Sequence, residues 1–213
     1  LTSPSLLSKG IALDRLISSV VLDKSINTAS LLPCDRNAVL IAARITGFGP
    51  DYESGFVCPL CGAEGETTFD LNDHEIVSAA PEDLAENGIE VIDGRYYVFL
   101  SKLEVQVEIR ALSHTEELRI TESASRKSDL GLDESITTDT LKMLIVSVNG
   151  VEDKRIINHL VEQMPVLDSR RIRKAQKLIT PRLAMEADVM CNSCNQESRL
   201  EVPFSTGFFW PEL

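Results

Sequence analysis

Two short cysteine pairs constrain this chain more than any other feature. Cys58-Pro-Leu-Cys61 and Cys191-Asn-Ser-Cys194 repeat one C-x-x-C spacing, with most of the chain between them. The spacing lets two thiolates converge on one ion from a tight turn, and two pairs supply the four tetrahedral ligands that zinc prefers. Each pair also sits between β-prone flanks, "SGFV" and "GETTF" around the first, "ADVM" and "ESRLEV" around the second. That is the setting of a zinc ribbon, in which each pair caps a hairpin. Gly62 and Asn195 directly follow the second cysteine of each pair, and both suit a left-handed backbone that aims amides at the sulfurs.

The separation is unusual, about 130 residues where a ribbon uses roughly 15–20. One site across that distance would bring the first β segment onto the last, with the intervening helical segment as an insertion and the metal as a clasp. The expected cofactor is one structural zinc per chain on Cys58, Cys61, Cys191 and Cys194. Spacing alone leaves open whether both pairs come from the same chain. Four thiolates leave no position for water, so a catalytic zinc is disfavoured. Thiol exchange, the other use of C-x-x-C, places its first thiol at a helix N-terminus. "GAEGETTF" after Cys61 and "NQESRLEV" after Cys194 are poor helix starts. The fifth cysteine, Cys34, stands alone in "LLPCDRNAVL" and reads as a small buried apolar side chain.

Around the pairs, periodicity predicts an α+β chain: helical segments about a small zinc-ribbon-like β unit formed by the two distant C-x-x-C hairpins. Residues 1–50 read as helical, with Leu13, Leu16, Ile17 and Val20 at helical spacing and "CDRNAVLIAARITGFG" as a second helix. Asp35 is its expected N-cap, with Gly47 and Gly49 as stops. Residues 51–112 read as β-rich and carry the first knuckle. "GIEVIDGRYYVFL" predicts a hairpin turning at Asp93-Gly94, and "KLEVQVEIRAL" alternates as a half-buried strand. Residues 113–182 read as helical: Ser113 and Glu116 form a capping box, "DTLKMLIVSVNG" and "EDKRIINHLVEQM" have helical periodicity, and "DSRRIRKAQKLI" starts from an expected N-cap at Asp168. Residues 183–213 are β again, with the second knuckle and an aromatic end.

Composition narrows the function classes. The 213 residues, 43% hydrophobic and 25% charged, match ordinary globular proteins and suffice for one large domain or two small ones. No apolar run approaches the ~20 residues that cross a bilayer, and the first residues lack a basic-then-apolar leader. A soluble, reduced compartment is expected, which favours metal over disulfides. The formal net charge of −12 disfavours phosphate backbones and anionic lipid.

Other chemistry is sparse. His74, His114 and His159 lie far apart, no G-x-S-x-G occurs, and "GFGPDYESG" lacks phosphate-loop patterns and reads as a loop. "NDHEIV" reads as a polar turn before a helix. "RRIRKAQK" is read first as a solvated helix face. No enzyme or small-molecule substrate is expected. Phe208, Phe209 and Trp210 are consecutive and costly to leave in water; they either plug their own core or dock into another subunit, and are the expected partner-binding residues.

Taken in order, "LLPCDRNAVLIAARITGFGPDYESGFVCPLCG", "LIVSVNG", "LDSRRIRKAQKLI" and "CNSCNQESRLEVPFSTGFFWP" resemble the baseplate proteins of T-even-type bacteriophages, described as baseplate hub subunits or hub assembly chaperones. The resemblance implies a non-enzymatic role in building or forming the hub of a contractile tail, through contacts with other tail proteins. It also implies a location in the virion baseplate or, during assembly, in the host cytoplasm. A zinc-ribbon nucleic-acid-binding or transcription-associated protein, contacting its ligand through "RRIRKAQK", is the alternative, and a thiol-exchange enzyme the third reading.

Overall fold

Amphipathic periodicity near the N-terminus produces α1 (Ile11–Val20), which buries Ala12 and Ile17. A proline then opens the second helix, α2 (Pro33–Phe48); its fixed φ suits the first helical position. Asp35, expected as the cap, lies instead inside the first turn, where a carboxylate meets the positive end of the helix dipole. Gly49 ends the helix at φ +85°, as its sequence position suggests. The structure, a computed structural model, describes residues 11–129, 136–202 and 208. It mixes helices with small antiparallel sheets and divides into two compact units.

Unit 1 comprises residues up to Thr28, Cys34–Val77, and Arg182 onward. Its β strands pair as β1 (Asp51–Val57) with β2 (Glu64–Asp70), β3 (Glu75–Val77) with β8 (Arg182–Ala184), and β9 (Glu186–Met190) with β10 (Glu197–Glu201), all antiparallel. "DYESG", expected as loop, is thus strand β1. Likewise His74 precedes a strand rather than a helix, and its Nδ1 lies 2.9 Å from the Leu71 carbonyl oxygen. Along β1 and β2, burial alternates so that Tyr52 and Phe69 face inward. They join Ile41, Leu71, Met185, Val189, Val202 and Phe208 in one core. Buried Arg44 donates to the carbonyls of Phe208 (2.7 Å), Gly49 (3.0 Å) and Asp51 (3.3 Å), which removes the cost of an unsatisfied guanidinium.

Unit 2 comprises Ala29–Pro33 and Ser78–Pro181. Its sheet runs β4 (Ile89–Ile92), β5 (Arg95–Leu100), β6 (Val105–Ile109), β7 (Ile145–Val148). Asp93 and Gly94 turn the first hairpin at φ +51° and +75°, the mirror-image turn that strand twist favours. Helices α3 (Pro81–Glu86), α4 (His114–Asp129), α5 (Ile136–Leu144), α6 (Lys154–Glu162) and α7 (Val166–Ile179) complete the unit. Ser113 and Glu116 do form the capping box: the Ser113 amide donates to Glu116 (2.9 Å) and the Glu116 amide to Ser113 Oγ (3.3 Å).

Three expectations fail in unit 2. "DTLKMLIVSVNG" is helical only through Leu144, and its β-branched Ile145, Val146 and Val148 form β7 against β6. Asp168 does not cap α7, which begins two residues earlier after Pro165. Its buried carboxylate accepts instead from the amides of Lys102 and Leu103, at 3.1–3.3 Å. With β7 on its far side, β6 is a central strand, and Glu108 is buried on the face predicted to be open. There Ser147 Oγ donates to it (3.0 Å) and Arg95 pairs with it (3.5 Å). No helix among the described residues is long and apolar enough to cross a membrane.

Candidate metal centre

The two cysteine pairs occupy the turns of two equivalent hairpins in unit 1. β1 and β2 close at Val57↔Glu64, β9 and β10 at Met190↔Glu197, so each turn spans six residues, 58–63 and 191–196. Their backbones repeat bond for bond. The Gly62 amide donates to the Cys58 carbonyl (2.9 Å) and the Asn195 amide to that of Cys191 (2.8 Å); Cys58 donates to Ala63 (2.9 Å) and Cys191 to Gln196 (3.0 Å). Gly62 and Asn195 hold φ +73° and +53°, the left-handed region that glycine and asparagine tolerate best.

The turns converge. Cys58 Sγ lies 3.8 Å from Cys194 Sγ, and Cys61 Sγ 3.7 Å from Cys191 Sγ. All four sulfurs lie within 4.8 Å of one another, and no other cluster of possible ligands occurs among the described residues. Four thiolates at ~2.3 Å from a tetrahedral zinc would stand about 3.8 Å apart, so the donor set and its spacing fit that ion. Cys58 and Cys191 are buried, Cys194 half-buried and Cys61 exposed.

Backbone amides favour charge on one sulfur, Cys191. Hydrogen bonds from the amides of Cys194 and Ser193, against the opposing effect of burial, hold Cys191 below the usual thiol range, at about 6. Amide donation stabilises the thiolate that binds metal. The Ala63 amide acts on Cys61 in the same sense, but the neighbouring thiols and burial outweigh it and push Cys61 up to about 12. Cys194 is also raised: the Gln196 amide and Cys61 pull it down, but burial, Cys191 and Cys58 outweigh them. Four neighbouring thiols cannot all ionise without a cation among them.

The remaining sequence candidates disperse. Phe208, expected at a partner interface, is buried in the unit 1 core, edge-on to Tyr52 at 5.0 Å and 73°. Its neighbours Tyr52 and Arg44 make it part of the fold. Phe209 and Trp210 lie outside the described residues. Cys34 is buried on α2, and burial, with the adjacent Asp35, raises its thiol. None of the three histidines joins a ligand cluster. On α7, Arg173, Lys174 and Lys177 are exposed opposite buried Ile172, Ala175 and Ile179, a solvated basic face. The amides of Ala63 and Gln196 stand at equivalent positions of the two turns and act on Cys61 and Cys194; the equal loop lengths are the signal in the sequence that pairs them.

Fold and site together define a mixed α/β protein whose distant hairpins meet at a four-cysteine cluster. A family model described as T4 bacteriophage base plate protein matches residues 8–210. The chain belongs to that family, and is in that sense a phage baseplate component. No curated protein and no solved structure matches it.

Proposed function

We propose that this chain is a non-enzymatic component or assembly factor of the hub of a contractile phage baseplate, acting by protein–protein binding, and that one structural zinc binds Cys58, Cys61, Cys191 and Cys194. Family membership over residues 8–210 supports the baseplate role. The observation that carries the zinc is the convergence of four sulfurs from two equivalent turns within one unit. All four positions of a tetrahedral ion would be filled by thiolates, which suits a closed, structural site. Two-stranded hairpins are marginal alone, and a metal joining their turns would hold both against the unit 1 core.

Elemental analysis of the purified chain is expected to give one zinc per chain, with Cys58→Ser and Cys191→Ser each abolishing it. Loss of zinc from only one of these variants would dismiss the shared site. Mass spectrometry separates the two baseplate roles: presence in purified virions marks a permanent subunit, and presence only in infected-cell lysate marks an assembly factor. Absence from both virions and tail intermediates would refute the baseplate role itself.

A further inference from the structure

Beside the cysteine cluster, unit 1 carries an open cleft of about 650 Å³ lined by residues of β1, β2 and β10. Phe56 and Leu200, both half-buried against the unit 1 core, give it apolar walls. Phe56 faces Gly65 across the β1–β2 ladder, and a Cβ at position 65 would stand 2.8 Å from the Phe56 ring atoms. The ring therefore lies over bare backbone, where a side chain at 65 would displace it. Glu64, Glu66 and Glu201 also line the cleft; all three are exposed and none forms an ion pair among the described residues. Arg199, the cation of the neighbouring hairpin, is already engaged by Glu186 at 2.7 Å.

The imbalance extends along the chain. No lysine or arginine occurs between Arg44 and Arg95, an interval holding twelve carboxylates, as many as the formal net charge of −12. The rest of the sequence is therefore electrically balanced, and the β1–β2 hairpin lies in the segment that is not. Carboxylates around low-dielectric walls focus a negative potential, while the aromatic and leucine surfaces favour an apolar side chain over water.

We propose that this cleft docks a basic–apolar segment of another protein, with a large apolar side chain between Phe56 and Leu200 and flanking lysines or arginines on Glu64, Glu66 and Glu201. The inference rests on the reading of this chain as a protein-binding baseplate component and names the chemistry of what it binds. Nucleic acid is repelled by the same carboxylates, whereas a cationic segment is steered toward them.

The test uses the full chain and two capped heptapeptides, one alternating lysine with leucine and phenylalanine, the other with glutamate in place of lysine. The lysine peptide is expected to shift the amide resonances of Phe56, Gly65 and Leu200, and the glutamate peptide to shift none of them. Its affinity should fall about threefold or more between 50 and 300 mM salt, and about fivefold or more in the Glu64→Gln/Glu66→Gln/Glu201→Gln variant. An unchanged urea midpoint would show that this variant is folded. Equal binding of both peptides, shifts elsewhere on the chain, or undiminished binding by the variant overturns the inference. So does a change in sedimentation caused by the three substitutions, which would make the occupant a second copy. A variant that joins tail intermediates or virions at the wild-type level would remove the cleft and leave the baseplate role intact; a wild-type chain absent from virions and tail intermediates alike would remove that role whatever the peptides do.

Discussion

Position 62 and position 195 do the same work with different residues. Both follow the second cysteine of a turn and both hold positive φ, and a Cβ at Gly62 would meet no atom within 4 Å. Gly62→Asn, which copies the other turn, is expected to preserve metal content and the denaturation midpoint. Gly62→Val should cost about 1–2 kcal/mol, because a β-branched residue resists left-handed backbone. Equal loss in both variants would show that space, not backbone conformation, selects glycine there. Glu116 is a second residue with a measurable signature. The Arg110 guanidinium and the Ser113 donors hold its carboxyl at about 2, against the cost of burial, with Arg110 at 2.6 and 2.9 Å. A lowered folded value means stability that is present above the ordinary carboxylate value near 4.5 and is lost as pH falls toward 2. Glu116→Gln should thus lower stability by about 1 kcal/mol at neutral pH, with the partly exposed pair discounted for screening. The difference from wild type should vanish near pH 2 in urea titrations; a difference independent of pH would assign the effect to capping alone.

Among the elements, the β1–β2 hairpin shows how one residue type can reverse its usual sign. Glycine inside a strand is ordinarily a weak point, and replacing it with alanine ordinarily stabilises by roughly 0.5–1 kcal/mol. At Gly65 the added carbon would press on the Phe56 ring at 2.8 Å, and that ring packs against the unit 1 core. Gly65→Ala is therefore expected to lower the thermal midpoint, whereas a rise would mean that the ring moves freely. Elements governed by local chemistry were legible in the sequence. The Asp93-Gly94 hairpin, the Ser113–Glu116 box and strand β6 all follow from nearest neighbours. Strand β7 was not, since a short apolar run such as "LIVSV" suits a helix or a strand equally well. Its pairing with β6 decides the matter, and that partner lies about 40 residues away, beyond any periodicity argument. Asp168 misled for a related reason: its expected role was local, but its bonds run to the amides of Lys102 and Leu103.

At the scale of the whole molecule, the main segment of unit 2, Ser78–Pro181, is an insertion in unit 1. The chain leaves after Val77 and returns at Arg182, and these two residues are direct partners in the β3–β8 ladder. Replacing residues 78–181 with a two-residue Asn-Gly link should close a hairpin and leave a short chain that still binds one zinc. A shortened chain that is unfolded with zinc present would show that unit 2 is required for unit 1 to fold. Among the described residues the unit 1 core has eight buried members and that of unit 2 seventeen, so the smaller core depends more on a clasp. A chelator should accordingly abolish an unfolding transition of unit 1 while leaving a cooperative transition from unit 2, followed by amide exchange at Val189 and at Val98. Loss of protection at both sites together would contradict separate units.

The sequence by itself determined the four candidate ligands: two C-x-x-C turns, each followed by a residue able to take positive φ, because spacing and backbone preference are properties of a few adjacent residues. It also determined the acidity that disfavours nucleic acid, since charge is additive along a chain. Only the tertiary structure decided that the two turns meet within one unit, that Phe208 belongs to the core, and that Phe56 and Leu200 wall an acidic cleft. Each of these joins residues far apart in the chain, and such proximity is set by the packing of whole faces rather than by any local pattern.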